Sequence, residues 1–256
     1  MLIVISPAKT LDYETPARTR KFTQPDFLDR SQALIDILRK QSAPKLEKLM
    51  TISSNLAELN KQRYIDWHTP FTPDTAKQAM LAFKGDVYTG LEAETFSSRD
   101  VDWAQKHLRI LSGLYGLLRP LDLMQPYRLE MGTSLKTPQG GNLYQFWDTQ
   151  ITEALNRQLA SIKSHTLVNL ASNEYFKSVK PKLLDAEVIT PAFRDWKNGE
   201  YKMIGFFAKK ARGSMSAWII RNRINKAAEL ADFDLDGYHY DQESSTEQQP
   251  VFLRRQ

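Results

Sequence analysis

Short stretches of this chain set charged side chains beside glycine or at a strand exit, where backbone and side chain can both meet a ligand. Lys9 lies in S-P-A-K-T, directly after the β-branched run LIVI. At a strand's C-terminal end, where open α/β sheets keep ligand sites, it is either a site residue or a solvated loop lysine. Lys84 and Asp86 flank Gly85 in FKGDVYTGL, where two glycines five apart bracket a β-favouring V-Y-T. That pattern reads as a backbone forced close to something, and the charged pair as a site or a salt-bridged turn. Arg128 and Glu130 share one extended piece with Tyr127. Glu130 could act as a general base, but with no second acid at a telling spacing an ion pair with Arg128 is favoured. Glu174 stands in ASNEY, the exit from a second β-branched run, TLVNL.

Two basic clusters point to anion chemistry instead. Lys177, Lys180 and Lys182 fall within six residues, and Lys209, Lys210, Arg212, Arg221 and Arg223 occupy residues 209–223 with no acid among them. A cationic cluster at a strand–glycine–helix junction suits contact with phosphate. A third candidate anion site is the run RILSGLYGLLRPLDLMQPYRLEMGT. Gly113 and Gly116 sit between two apolar runs, the outline of a helix-hairpin-helix, and glycine tolerates the positive φ of a sharp reversal. Amides opening the second helix would then meet phosphate, with Arg119 and Arg128 close behind. An ordinary αα-corner has the same outline.

The elements that must position these groups alternate along the chain. The runs LIVI and TLVNL read as buried strands, each emptying into a polar loop. Apolar residues recur at three- and four-residue intervals over residues 26–60, with Pro25 and Pro44 as breaks, which predicts helices covering a core. Thr72-Pro73-Asp74 predicts a helix running towards Phe83, and residues 144–159 predict another, opened by packed aromatics. Residues 187–193 and 201–208 read as strands joined around Asn198-Gly199, with a helix following over 214–224. Short terminal strands are expected near 237–241 and 251–253. One compact α+β domain, a mixed sheet surrounded by helices, spans residues 1–256.

Composition narrows the function. The absence of cysteine excludes disulfides, thiolate nucleophiles and cysteine-ligated metals. The four histidines show no helical pairing, no phosphate-cradling glycine motif occurs, and no metal or cofactor is expected. The N-terminal apolar run is too short for a signal peptide or a membrane span, so a soluble, cytoplasmic, monomeric protein is expected. The totals are 35 basic and 30 acidic residues, and residues 229–256 hold seven of the acids and two of the arginines. The body before residue 229 therefore carries 33 basic against 23 acidic residues, a net of +10, while 229–249 is an acidic segment within the domain. A basic body attracts polyanions.

Taken together, LIVISPAKTLDY, LAFKGDVYTGL, the glycine run with its flanks, LYQFWD, NLASNEYFKSVKPK and FFAKKARGSMSAWIIRNR resemble the YaaA family, named for a bacterial peroxide-stress protein. These pieces span residues 2 to 223, outside the acidic segment. The resemblance implies an unusual one-domain α/β fold with a helix-hairpin-helix and a positively charged cleft. It further implies DNA binding and a role in limiting oxidative damage, including by keeping intracellular iron low. An element that contacts backbone phosphate without reading bases should take duplex or structurally distorted DNA with weak sequence preference. On this footing Gly113, Gly116, Arg119, Arg128, Lys177, Lys180, Lys182, Lys209, Lys210, Arg212, Arg221 and Arg223 are the expected DNA-contacting residues. Base-excision enzymes also use helix-hairpin-helix elements, so an enzyme acting on a nucleobase or nucleotide is the alternative. Its catalytic candidates are Lys9, Lys84, Asp86, Glu130 and Glu174, with Arg128 beside them. Direct iron storage lacks a carboxylate–histidine ligand set in the sequence.

Overall fold

A run of four apolar residues with no polar alternation must be covered on both faces, and Leu2–Ile5 is buried at every position in the computed structural model, which describes residues 1–255. It is the middle strand of a five-stranded sheet ordered Gly116–Leu118, Leu108–Ser112, Leu2–Ile5, Thr166–Leu170, Glu187–Ile189. The last four strands are parallel, with Ile3 opposite both Leu108 and Val168, and only Gly116–Leu118 runs antiparallel. A second sheet is ordered Glu200–Lys202, Ala192–Lys197, Val251–Arg254, His239–Tyr240. One continuous hydrophobic core joins the two, so the chain is a single α+β domain. Among the described residues no helix is long and apolar enough to cross a membrane.

Helices Leu28–Leu38, Ala43–Met50 and Ser54–Asp66 fill the region where apolar periodicity predicts them, with Pro44 in the first turn of the second. The Asn198-Gly199 turn has φ of 55° and 87°, the left-handed pair a two-residue hairpin needs. Both terminal strands are present, and the acidic segment is part of the fold. Its Leu230, Phe233 and Tyr238 are buried, and both aromatics pack edge-on against Phe193 of the second sheet.

Several expectations are corrected. The glycine run is a β-hairpin, Leu108–Ser112 paired with Gly116–Leu118, and not a helix-hairpin-helix. Short continuous apolar runs fit a buried strand as well as a helix turn, and here the free edge of Leu108–Ser112 takes the second run as its partner. Gly116 supplies the turn with φ +68°, and a Cβ there would sit 2.7 Å from the Trp147 ring. A Cβ on Gly113 would lie 2.2 Å from the Leu129 carbonyl oxygen. Residues 187–193 are cut by Pro191, which has no amide to give the ladder, so Glu187–Ile189 ends in one sheet and Ala192–Lys197 starts in the other. The helix expected from residue 72 shrinks to Ala79–Ala82, because Lys77–Gln78 pairs as a strand with Leu123–Met124. Residues 144–159 form two helices, Leu143–Trp147 and Gln150–Ser161, parted at Asp148. V-Y-T belongs to the helix Asp86–Leu91, and the strand expected over 201–208 ends at Lys202 before an 18-residue helix, Gly205–Asn222.

The last two corrections share a cause. Asp86–Leu91 lies directly on Gly205–Asn222, with Gly90 against the Lys210 carbonyl and Gly213 against the Val87 carbonyl. Close backbone packing overrides the β preference of V-Y-T.

Candidate functional site

Parallel strands present their C-terminal ends on one edge, and the crevice opens where successive crossovers depart in opposite directions. Here Leu108–Ser112 lies on one side of Leu2–Ile5, and Thr166–Leu170 on the other. The exits of Leu2–Ile5 and Thr166–Leu170 therefore flank that point. Ser6 and Ser172 close it: the Ser172 amide donates to Ser6 Oγ at 2.9 Å, and the two hydroxyls lie 3.4 Å apart. The buried Tyr88 hydroxyl donates to the Ser6 carbonyl at 3.1 Å, which ties the helix Asp86–Leu91 to the first strand's exit.

A cavity of about 470 Å³ opens above these serines. Lys9, Lys84, Asp86, Glu130 and Glu174, scattered over 166 positions of sequence, all line it, together with Lys209 and Arg212 from the long helix. The charges are unevenly satisfied. Glu130 lies between two cations, Lys9 Nζ at 2.8 Å and Arg128 at 3.0 Å, so the ion-pair reading of Glu130 holds in the structure. Glu174 accepts from the Gly132 amide at 2.9 Å. Lys209 approaches Asp86 only to 3.8 Å and Lys84 approaches Asp12 only to 3.8 Å, loose pairs with well-exposed ammonium groups that contribute little. Arg212 has no ion-pair partner among the described residues, and burial of its guanidinium lowers its pKa with no neighbouring acid to offset it.

The remaining expected DNA contacts fare differently. Gly113 and Gly116 are buried, and Arg119 is clamped by Asp122 at 2.9 Å and Asp26 at 3.0 Å. Arg128 is held by Glu130. Lys210 pairs with Asp236 at 3.0 Å, Arg221 with Glu92 at 3.6 Å and Arg223 with Asp100 at 2.7 Å. The long helix thus draws its counter-charges from distant segments, so the cluster is far less naked than residues 209–223 suggest. It also lacks the expected strand–glycine–helix junction, since Lys209, Lys210, Arg212 and Gly213 all lie inside the helix. Lys177 sits over the Tyr144 ring at 5.1 Å, while Lys180 and Lys182 do not line the cavity.

Sequence reasoning missed Ser6, Ser172 and a second pair, Asp12 and Lys77. The serines were visible as matching exits from two matching strands. Asp12 and Lys77 gave no signal, being 65 residues apart. Lys77 is buried and its Nζ donates to the Asp12 carbonyl at 2.7 Å and the Thr15 carbonyl at 2.8 Å, with the Asp12 carboxylate 3.7 Å away. They line a neighbouring cavity of about 440 Å³ that shares Lys84 and Gly85 with the first. The Thr15 amide, Thr15 hydroxyl, Lys77 and the Glu14 amide hold the Asp12 carboxyl down to about 2. A carboxyl below its ordinary 3.8 stabilises the fold above that value and loses this contribution as pH falls through about 2. The melting temperature should therefore fall between pH 4 and pH 2 more steeply in the parent than in Asp12→Asn. Parallel profiles would refute this.

A tight helix pair does exist elsewhere. Ala43–Met50 and Ser54–Asp66 are joined through Thr51, left-handed at φ 52°, and Ser53, whose hydroxyl caps the second helix. The turn residues Thr51 and Ser53 and the helix-opening Ser54 and Asn55 are exposed.

A family model described as peroxide stress protein YaaA matches residues 1–244.

Proposed function

The chain belongs to the peroxide stress protein YaaA family, and we propose that it serves that response by holding DNA phosphate at the crevice between the exits of Leu2–Ile5 and Thr166–Leu170. One observation carries this reading: Arg212, half-buried and without a counter-ion, faces a cavity whose rim carries three exposed lysines. A desolvated guanidinium without an acid favours an oxyanion, and its fork matches phosphate. The exposed turn at residues 51–55, with Lys45 and Lys48 exposed on the preceding helix, supplies a second backbone contact in place of the buried hairpin. Such contacts position the duplex without reading bases. Coating or holding DNA in this way limits iron-driven damage at the target, and needs no iron ligands on the protein.

Titrating labelled duplex DNA at several salt concentrations tests the reading. Affinity should fall steeply and log-linearly as salt rises, with little change between unrelated sequences. An affinity indifferent to salt would sink it.

The convergence of Lys9, Lys84, Asp86, Glu130 and Glu174 on one cavity supports a second reading, an enzyme acting on a nucleobase or nucleotide. Lys9 and Lys84 are 63% and 67% exposed, so burial does not activate either amine as a nucleophile. Activation of water by Glu174 or Glu130 is the form this reading takes. Release of free base from damaged oligonucleotides, abolished in Glu174→Gln, would establish it, and its absence across a broad lesion panel would leave binding alone.

A further inference from the structure

Away from the crevice, the second sheet carries an exposed aromatic surface. Trp196 and Tyr201 are cross-strand partners flanking the Asn198-Gly199 turn, their ring centroids 4.9 Å apart at 69°, and they remain 38% and 36% exposed. Met203 and Phe206 follow within five residues at 64% and 59% exposure. Large apolar side chains left in water next to one another mark a binding surface.

The charges beside them select the occupant. Arg194 lies two residues before Trp196 on the same face of its strand, while Lys197 alternates to the opposite face. The Arg255 guanidinium sits 4.9 Å from the Trp196 ring centroid. Among the described residues neither Arg194 nor Arg255 makes an ion pair, while the nearby acid, Glu200, is taken by Lys202 at 3.0 Å. Asp195 points to the other side, where Arg254 and Tyr238 hold it. Strand addition by a protein partner is disfavoured, because the edge strand Glu200–Lys202 is three residues long and charged at both ends. Partly exposed rings beside cations that make no ion pair are what a single-stranded polynucleotide requires: bases stack on the rings, and phosphates meet the cations.

We propose that the Trp196–Tyr201 face is a stacking platform for single-stranded nucleic acid, separate from the crevice that holds duplex phosphate. Phosphate draws Arg255 off the indole, and a base takes the ring face it covered. The surface extends the DNA reading to a second site, and each can fail without the other.

Anisotropy of labelled oligo(dT) and oligo(rU), read beside tryptophan fluorescence, tests the platform. Trp196→Ala should weaken oligonucleotide binding about tenfold or more, the effect of one lost stack, with melting unchanged. Trp196→Phe should keep most of the affinity but lose the quenching of tryptophan emission that oligonucleotide causes in the parent. A preference between the two oligomers identifies DNA or RNA as the ligand. Equal binding by parent and Trp196→Ala would overturn the platform, as would quenching that persists in Trp196→Phe and vanishes in Arg212→Ala. Should Trp196→Ala fail to fold, the surface double variant Arg194→Glu, Arg255→Glu decides: undiminished oligonucleotide binding overturns the proposal.

Discussion

Gly213→Val should lower the melting temperature by roughly 6–12 °C or more, from a destabilisation of about 3 kcal/mol or above. A Cβ at Gly213 would lie 1.8 Å from the Val87 carbonyl oxygen and 2.8 Å from the Leu91 amide nitrogen. Both obstacles are backbone, so no rotamer change relieves them. The helix Asp86–Leu91 would have to lift off Gly205–Asn222. Gly90 makes the same contact from the other side, 2.1 Å from the Lys210 carbonyl oxygen, so Gly90→Val should fail similarly. Lifting the short helix also moves Asp86 and Lys84 away from Lys209 and Arg212, which places the crevice downstream of this packing. Gly205→Ala is the control. Nothing lies within 4 Å of its would-be Cβ, and alanine is the better helix former, so it should melt at or slightly above the parent. If Gly213→Val melts with the parent by differential scanning calorimetry, the two helices are not locked by backbone contact.

What could be read from the residues alone follows from how local each determinant is. LIVI announces a buried strand because every side chain is apolar and three of the four are β-branched, TLVNL does so less cleanly through Leu167, Val168 and Leu170, and Asn198-Gly199 announces its hairpin because both residues accept positive φ. Gly85 and Gly90 were recognisable as a close approach, yet what approaches is distant in sequence: Ala8 at Gly85, and Lys210 to Ser214, more than a hundred residues away, at Gly90. The run around Gly113 failed for a different reason. Its apolar residues fit a helix turn and a strand equally, and only the free edge of Leu108–Ser112 decides between them. Charge was the least legible property. Residues 209–223 contain no acid, but Asp86, Glu92, Asp100 and Asp236 arrive from elsewhere to meet four of the five cations. Arg212 is the exception, and nothing in its own segment distinguishes it from Lys210.

That distinction sets the largest expected effect on binding. Replacing Arg212 by alanine should remove the proposed phosphate contact, one that would give up no intramolecular ion pair when DNA binds. A hydrogen bond to a charged group contributes about 1.5–3 kcal/mol, so affinity for duplex DNA should fall by about tenfold to a hundredfold. The slope of log affinity against log salt should lose about 0.9, the share of one neutralised phosphate. Lys210→Ala should do neither, because its Nζ is already 3.0 Å from Asp236 and outside the cavity. It should cost at most about 1 kcal/mol of stability, as a partly exposed ion pair does. Arg212→Lys keeps the charge but loses the planar fork, so the salt slope should return while affinity recovers only in part. Circular dichroism and melting confirm that each variant is folded before binding is compared. If Lys210→Ala flattens the slope as much as Arg212→Ala, the whole cationic stripe of the long helix is the binding surface, and the unpaired guanidinium has no special place in it.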